Sequence, residues 1–314
     1  MATRLTRFVA IKLCSRNASS SKSASNKIKN KQQLEKFNVE NESLYGPLLP
    51  KPKKTGESSK TITPDIVIPS EKFFPLAVDK ANTEDLNCLA KEILFNCDKN
   101  AKVPSVTTIL QRTMSDENAA VLENWRIEMI KKLGKEGFAE YTKETFATGH
   151  AFHKNIHDFL SGTPESQLNI EKNIEGHWKS ISSFFPKISD VVTLETKLTH
   201  PYLNYVGIID CIAKIQDKTV LIEWKTSQKP KPTLKHTYDN PIQLAAYIGA
   251  WNFNPDSLQV DNGIIVISYP DGKTCHVHDM NHKTCHQAWK SWLTRLSEYY
   301  QFENAKISAG FQNV

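Results

Sequence analysis

Cysteine is scarce: six residues are scattered through 314 positions with no Cys-x-x-Cys pair. That spacing excludes a disulfide framework and a simple zinc site. Long apolar runs are missing too; none approaches the ~20 residues a bilayer-spanning helix requires. Acidic residues are absent from positions 1–34, which hold eight Lys or Arg, and the remainder carries 32 basic against 34 acidic residues. The net charge of +6 therefore belongs to the N-terminus. Any attraction of the body for a polyanion has to be local.

The basic segment has an amphipathic pattern. Leu5, Phe8, Val9, Ile11 and Leu13 interleave with Arg4, Arg7, Lys12 and Arg16 in a Ser-rich, acid-free stretch. Residues 1–25 read as a mitochondrial transit peptide, with a basic tail that binds nucleic acid as the other reading. Residues 26–75, rich in Lys, Ser and Pro, read as a disordered linker. Residues 76–314 are expected to form one domain.

Within that domain, Val206 to Ile215 is rich in β-branched residues, Gln216-Asp217-Lys218 makes a polar turn, and Thr219 to Ile222 begins a second apolar run. This pattern predicts a β-hairpin. Side chains alternate across a strand, so Glu223 and Lys225 share a face, Trp224 takes the other, and Asp210 sits beside Glu223. Two carboxylates make a hard oxygen site suited to Mg²⁺ or Mn²⁺, which keeps waters and accepts phosphate oxygens. Lys225 adds positive charge for a scissile phosphate or holds the attacking water. The same residues also fit a solvated hairpin with a Glu223–Lys225 ion pair.

The neighbours supply further candidates. Asn240 as N-cap and Pro241 at the first helical position predict a helix in which Gln243 and Tyr247 share a face; a capping role for Gln243 and a core role for Tyr247 stay open. Upstream, residues 144–157 predict an amphipathic helix presenting His150, His153 and His157 on roughly one side. One of them is expected to face the metal site. Gly149 in that helix costs about 1 kcal/mol against Ala and suggests close approach by another element.

Gly149 followed by His153, then Glu195, Gly207-Ile208-Ile209-Asp210, Glu223-Trp224-Lys225-Thr226 and Gln243-Leu244-Ala245-Ala246-Tyr247 form an ordered set. It resembles the RecB-like branch of the PD-(D/E)xK nuclease superfamily. The runs Tyr205 to Cys211, Glu223 to Pro232 and Asp239-Asn240-Pro241 are most similar to mitochondrial exonucleases of that branch, over about residues 100–304. The resemblance implies an α/β fold, a restriction-endonuclease-like core with a central mixed β-sheet flanked by α-helices. It implies a Mg²⁺-dependent (Mn²⁺ also fitting) exonuclease acting on single-stranded DNA and flap DNA in the mitochondrial matrix, beside the mitochondrial replication machinery and as a monomer. A catalytically silent nucleic-acid-binding module and an RNA nuclease are the alternatives.

On this resemblance Asp210, Glu223, Glu195 and His153 are metal ligands, and Asp210, Glu223, Lys225, His153 and Gln243 are catalytic. Ile209 stands where the superfamily name has Pro, and Glu223 where the near relatives have Asp. Pro104 to Leu110 resembles the segment that opens the nuclease domain. The four-cysteine iron–sulfur cluster of some RecB-like nucleases finds no matching pattern.

Ser105 and Thr107, at a predicted helix start with free backbone N–H groups, are candidate DNA contacts. So are Lys229 and Lys231 in the stiff Lys229-Pro230-Lys231-Pro232 segment, and Tyr247. Packing helices are expected over 82–98 and 115–135, a helix over 164–184, and strands over 191–198 and 263–269. Cys275, His276, His278, His282, Cys285 and His286 are too irregularly spaced for zinc. Trp289, Trp292, Leu293, Leu296 and Tyr299 recur at helical spacing, as a core stripe or as aromatics that stack on bases.

Overall fold

The computed structural model describes residues 92, 93, 96, 103–254 and 257–311, with side chains of the closing helix described to Ala305. The transit-peptide and linker segments lie outside the described residues, as does most of the helix expected over 82–98.

Five strands form one sheet in the order β1 (Ile188–His200), β2 (Tyr205–Ile215), β3 (Lys218–Thr226), β4 (Asn262–Ser268), β5 (His276–Met280). All neighbours pair antiparallel except β3 and β4, which are parallel. A parallel pair needs a crossover, and the helix Asn240–Asn252 lies in this one. The other helices described are α1 (Val106–Arg112), α2 (Asp116–Leu160) and α3 (Lys172–Ile181) before the sheet; the crossover helix is α4, and α5 (His282–Phe311) closes the chain. The architecture is α/β, the mixed sheet flanked by helices expected of a PD-(D/E)xK-like core.

Two hydrophobic layers sandwich the sheet. Leu221, Ile265 and Ile267 pack with Leu244 and Tyr247 of α4 and with Trp289, Trp292, Leu293 and Leu296 of α5. Cys211, Ala213, Ile222, Trp224 and Val266 pack on the opposite side with Phe152 and Ile156 of α2 and Ile174 and Trp178 of α3. The aromatic stripe of α5 is core, since burying large side chains is its main energetic contribution.

The β2–β3 hairpin turns through Gln216 (φ 49°) and Asp217 (φ 65°). Two left-handed residues in succession match the twist of a tight hairpin. Elsewhere β2 breaks the two-residue rule: Ile209 packs in the α4–α5 layer, yet Cys211 packs in the α2–α3 layer. The break falls at Asp210. Its neighbour across β1 is Glu195, held at φ 43°, between the pairs Leu194–Cys211 and Thr196–Ile209.

Helix α2 spans 45 residues with a non-helical Gly134 inside (φ 72°, ψ 171°). A straight helix would separate Trp125 from Phe138 by ~20 Å, whereas their ring centroids are 5.6 Å apart. The element is thus a helical hairpin. Its first arm, expected as a packing helix over 115–135, packs through Leu122 and Trp125, while Val121 and Ile127 are exposed. Gly149 is not a contact point, for a Cβ there would meet nothing within 4 Å. The helix over 164–184 is shorter than expected, Lys172–Ile181, preceded by a single 3₁₀ turn.

Candidate functional site

β2 and β3 pair only from Cys211–Ile222 to the turn, and then part. β2 continues against β1 as far as Tyr205–His200, and β3 continues against β4 as far as Thr226–Ser268. Asp210 and Glu223 are the first residues of the fork. Asp210 Oδ2 accepts the backbone N–H of Trp224 at 2.8 Å, standing in for the strand that has moved away. On the β2 side of the gap, Val206 N–H donates to Pro104 O at 3.0 Å, and Ser105 bridges Val206 in parallel. The segment entering α1 thereby takes the strand position that β3 leaves.

Three groups meet at the fork. His153 Nδ1 lies 3.4 Å from Asp210 Oδ1 and 3.7 Å from Glu195 Oε1. His153, Glu195 and Asp210 offer ligand atoms all within 4.8 Å of one another. The α2 helix supplies the histidine, and the irregular β1–β2 pair supplies both acids. On β3, Lys225 Nζ donates to Glu223 Oε1 at 2.6 Å, while Glu223 Oε2 is buried with no hydrogen-bond partner. A buried carboxylate oxygen without a partner is costly unless something else neutralises it. The cluster of two carboxylates and one imidazole, with the Glu223 oxygen on the strand across the fork, offers donors that fit a hard divalent cation.

The charges respond to one another. Burial disfavours the His153 imidazolium, but the Asp210 charge and hydrogen bonds to Asp210 and Glu195 outweigh it and raise its pKa to about 10. Burial also opposes ionisation of Asp210, yet His153, Lys225 and the Trp224 N–H hold its carboxyl below the usual range. For Glu223, burial first and the Asp210 charge second push the carboxyl up to about 7, against the pull of Lys225. Carboxylates with opposed shifts in one cleft are a common feature of functional sites.

The other candidates are distributed as follows. Gln243 Nε2 donates to Tyr247 Oη at 2.8 Å, so its side chain is not a capping group. Asp239, one residue before the expected Asn240, is the N-cap position, and its carboxylate lies 3.4 Å from Arg295 Nη2. Tyr247 is core: a Cβ on Gly207 would sit 2.4 Å from its ring, so the ring is covered by β2 and no stacking surface is offered to DNA. His150 bonds Phe146 O at 3.1 Å and His157 lies 3.3 Å from Asp158, so neither joins the fork. Ser105 Oγ caps α1 by accepting Thr108 N–H at 3.1 Å and also bonds Thr107 Oγ1 at 3.0 Å. Lys229 is exposed. Lys231 is buried, unlike the freely extended lysine its sequence suggests, with its ammonium 4.8 Å from the Tyr238 ring centre. The Trp224 amide was invisible in the sequence because a backbone group carries no residue-type signal.

No family model matches the chain. It is similar to mitochondrial genome maintenance exonuclease 1 of Mus musculus, 36% identical over 269 residues, covering 85% of this chain and 78% of the relative. The protein of the same name from Homo sapiens is 40% identical over 72% of this chain and 65% of its own length. That from Xenopus tropicalis is 42% identical over 66% and 60% respectively. The chain thus spans from 60% to 78% of the length of these relatives. A solved structure, that of SSO0001, aligns over 67% of this chain and 86% of its own at 16% identity and a TM-score of 0.29, too distant to inform either fold or chemistry.

Proposed function

The chain belongs to the mitochondrial genome maintenance exonuclease 1 family, and from that membership we propose that it is a metal-dependent exonuclease hydrolysing single-stranded DNA from ends and flaps in the mitochondrial matrix. The observation that carries the reading is the forked hairpin, which gathers Asp210, Glu195 and His153 on one side and the unpartnered Glu223 oxygen with Lys225 on the other. These four acid and imidazole side chains would hold Mg²⁺, or Mn²⁺, which when bound supplies charge neutralisation at the phosphate and a more acidic water.

The chain's own residues do the rest. Lys225, fixed by Glu223 at 2.6 Å, is a preorganised cation beside the reacting phosphate and stabilises charge as it develops there. Asp210, locked by the Trp224 N–H, keeps its orientation without rearranging during the reaction. Gln243 is held on α4, in the crossover that follows the hairpin, by donating its Nε2 to Tyr247 Oη. Ser105, Thr107 and exposed Lys229 border the fork as strand contacts. The α2 hairpin supports single-strand preference, since an arm beside the site admits one thread more readily than a duplex. Residues 1–25 would act as the transit peptide.

Digestion of end-labelled single-stranded DNA with Mg²⁺ tests this. Wild type degrades it, and Lys225→Ala slows the reaction on the order of 100-fold or more. Equal digestion by both proteins sinks the assignment, and a matched RNA strand and a covalently closed circle resolve substrate class and the need for an end.

A further inference from the structure

β1 and β2 stay paired beyond the fork, and the two faces of that pair differ. Tyr205 and Ile209 of β2 and Leu198 of β1 pack in the α4–α5 layer. Side chains alternate along a strand, so Ile208 and Val206 of β2, with their register partners Lys197 and Thr199 of β1, lie on the opposite face. That is the side on which α2 packs, and from α2 His153 meets Asp210 and Glu195. Neither layer covers the pair there: Ile208 is 50% exposed, and Lys197 and Thr199 are exposed as well.

A single exposed isoleucine needs no explanation on its own, and a lysine on an edge strand such as β1 deters pairing with other sheets. Their position gives these two more to do. Ile208 precedes Asp210 by two residues, ~7 Å along the strand, about one extended nucleotide from the acid. Lys197 stands directly opposite Ile208 in the register, with the two Cβ atoms ~5 Å apart. Its ammonium forms no ion pair among the described residues, and Glu195, two residues earlier on β1, is turned to His153. Gly149, one helical turn before His153 on the same side of α2, has open space around its missing side chain, so the helix leaves room beside the histidine. An uncovered apolar surface and an unpaired cation thus adjoin the acids of the fork.

We propose that Ile208 and Lys197 form a nucleotide seat beside the candidate site: the base of the nucleotide adjoining the scissile phosphate rests on Ile208, and Lys197 pairs with the phosphate of that nucleotide. The seat rests on the nuclease reading above and names how its strand is held. A single strand fits it, because a base stacked and paired within a duplex has no free face to lay on an apolar side chain. Apolar contact and one cation read no base edge, so the seat is indifferent to sequence.

Binding of a 5′-labelled single-stranded oligodeoxynucleotide to the full chain, in EDTA and over a salt series, tests the seat. Lys197→Ala weakens binding on the order of fivefold and flattens the slope of log K against log salt by about 0.7. Ile208→Ala weakens binding on the order of threefold without changing the slope, and Ile208→Val recovers part of the loss. On an abasic strand of equal length Ile208→Ala binds as wild type does, whereas Lys197→Ala keeps its loss. Exposed Lys218→Ala, at the far turn of the hairpin, leaves affinity and slope as in wild type. Folding is checked by thermal melting; should Ile208→Ala not fold, Ile208→Val and Lys197→Ala carry the test. Folded variants that bind with wild-type affinity and slope overturn the seat, as does an Ile208→Ala loss undiminished on the abasic strand. A Lys197→Ala protein that self-associates with unchanged affinity for DNA overturns it too, and assigns the lysine to guarding the sheet edge. A wild type that neither binds nor cuts any strand overturns the nuclease reading instead.

Discussion

Glu195 combines a strained backbone with a place in the candidate site. Its φ of 43° is a left-handed conformation that costs a non-glycine residue about 1 kcal/mol or more. No turn requires it. What the conformation achieves is the slip in alternation that lets Glu195 and Asp210 reach His153 together. Glu195→Gly should therefore melt at the same temperature as wild type or higher, while cleavage falls at least about tenfold. A lower melting temperature with undiminished cleavage would show that the backbone there serves packing alone. Asp210, Glu223 and Lys225 were legible as a unit because strand period and spacing put them on neighbouring strands; the Glu195 conformation was not, because nothing in the residue type Glu signals positive φ.

At the scale of elements, α2 is the instructive case. Hydrophobic spacing identified helix over 115–135 and 144–157, and both are helix. Their reversal at Gly134 leaves no periodic signal, since Gly134 and Gly137 sit in a polar stretch where periodicity fades. The kink rests on one torsion pair in a region essentially reserved for glycine, with open space around the missing side chain. Gly134→Ala should consequently cost its energy through the backbone rather than through a clash. The arms separate, Trp125 leaves Phe138, and tryptophan emission shifts to the red relative to wild type by an amount absent in a Trp125→Phe background. An unshifted spectrum would mean the hairpin is held by its arms and not by its turn. If the hairpin guides the strand, the same variant loses single-strand digestion more than core stability.

Across the whole molecule, the layers on the two faces of the sheet set the response to acid. His177, 2.9 Å from Ser268 Oγ, has its pKa lowered to about 4 by burial, and His200, which accepts the Leu203 N–H at 3.2 Å, is lowered to about 3 by burial. Unfolded histidines titrate near 6.5, so between that value and the folded pKa the unfolded chain binds the extra protons. Their contribution is complete above pH 6.5 and lost as pH falls toward about 4 and then about 3, a few kcal/mol in all. Thermal melting from pH 7 to 4 should show a falling midpoint, and the fall should be shallower in His200→Phe. A midpoint flat across this range would contradict neutral buried histidines.

The sequence by itself determined the strand–turn–strand unit, the helix that follows it, the acids, lysine and histidine of the candidate site, and the division of charge between a basic N-terminus and a near-neutral body. These are local properties: side-chain period, turn chemistry and composition act within a few residues of one another. Only the tertiary structure decided where β2 and β3 part, which histidine of α2 faces the fork, that Tyr247 is core, and that His276 shares a sheet face with Glu223 and Lys225. Each depends on groups far apart in the chain or on backbone atoms common to every residue. Long-range register and backbone hydrogen bonds leave no mark in residue type, so they emerge only once the sheet is assembled.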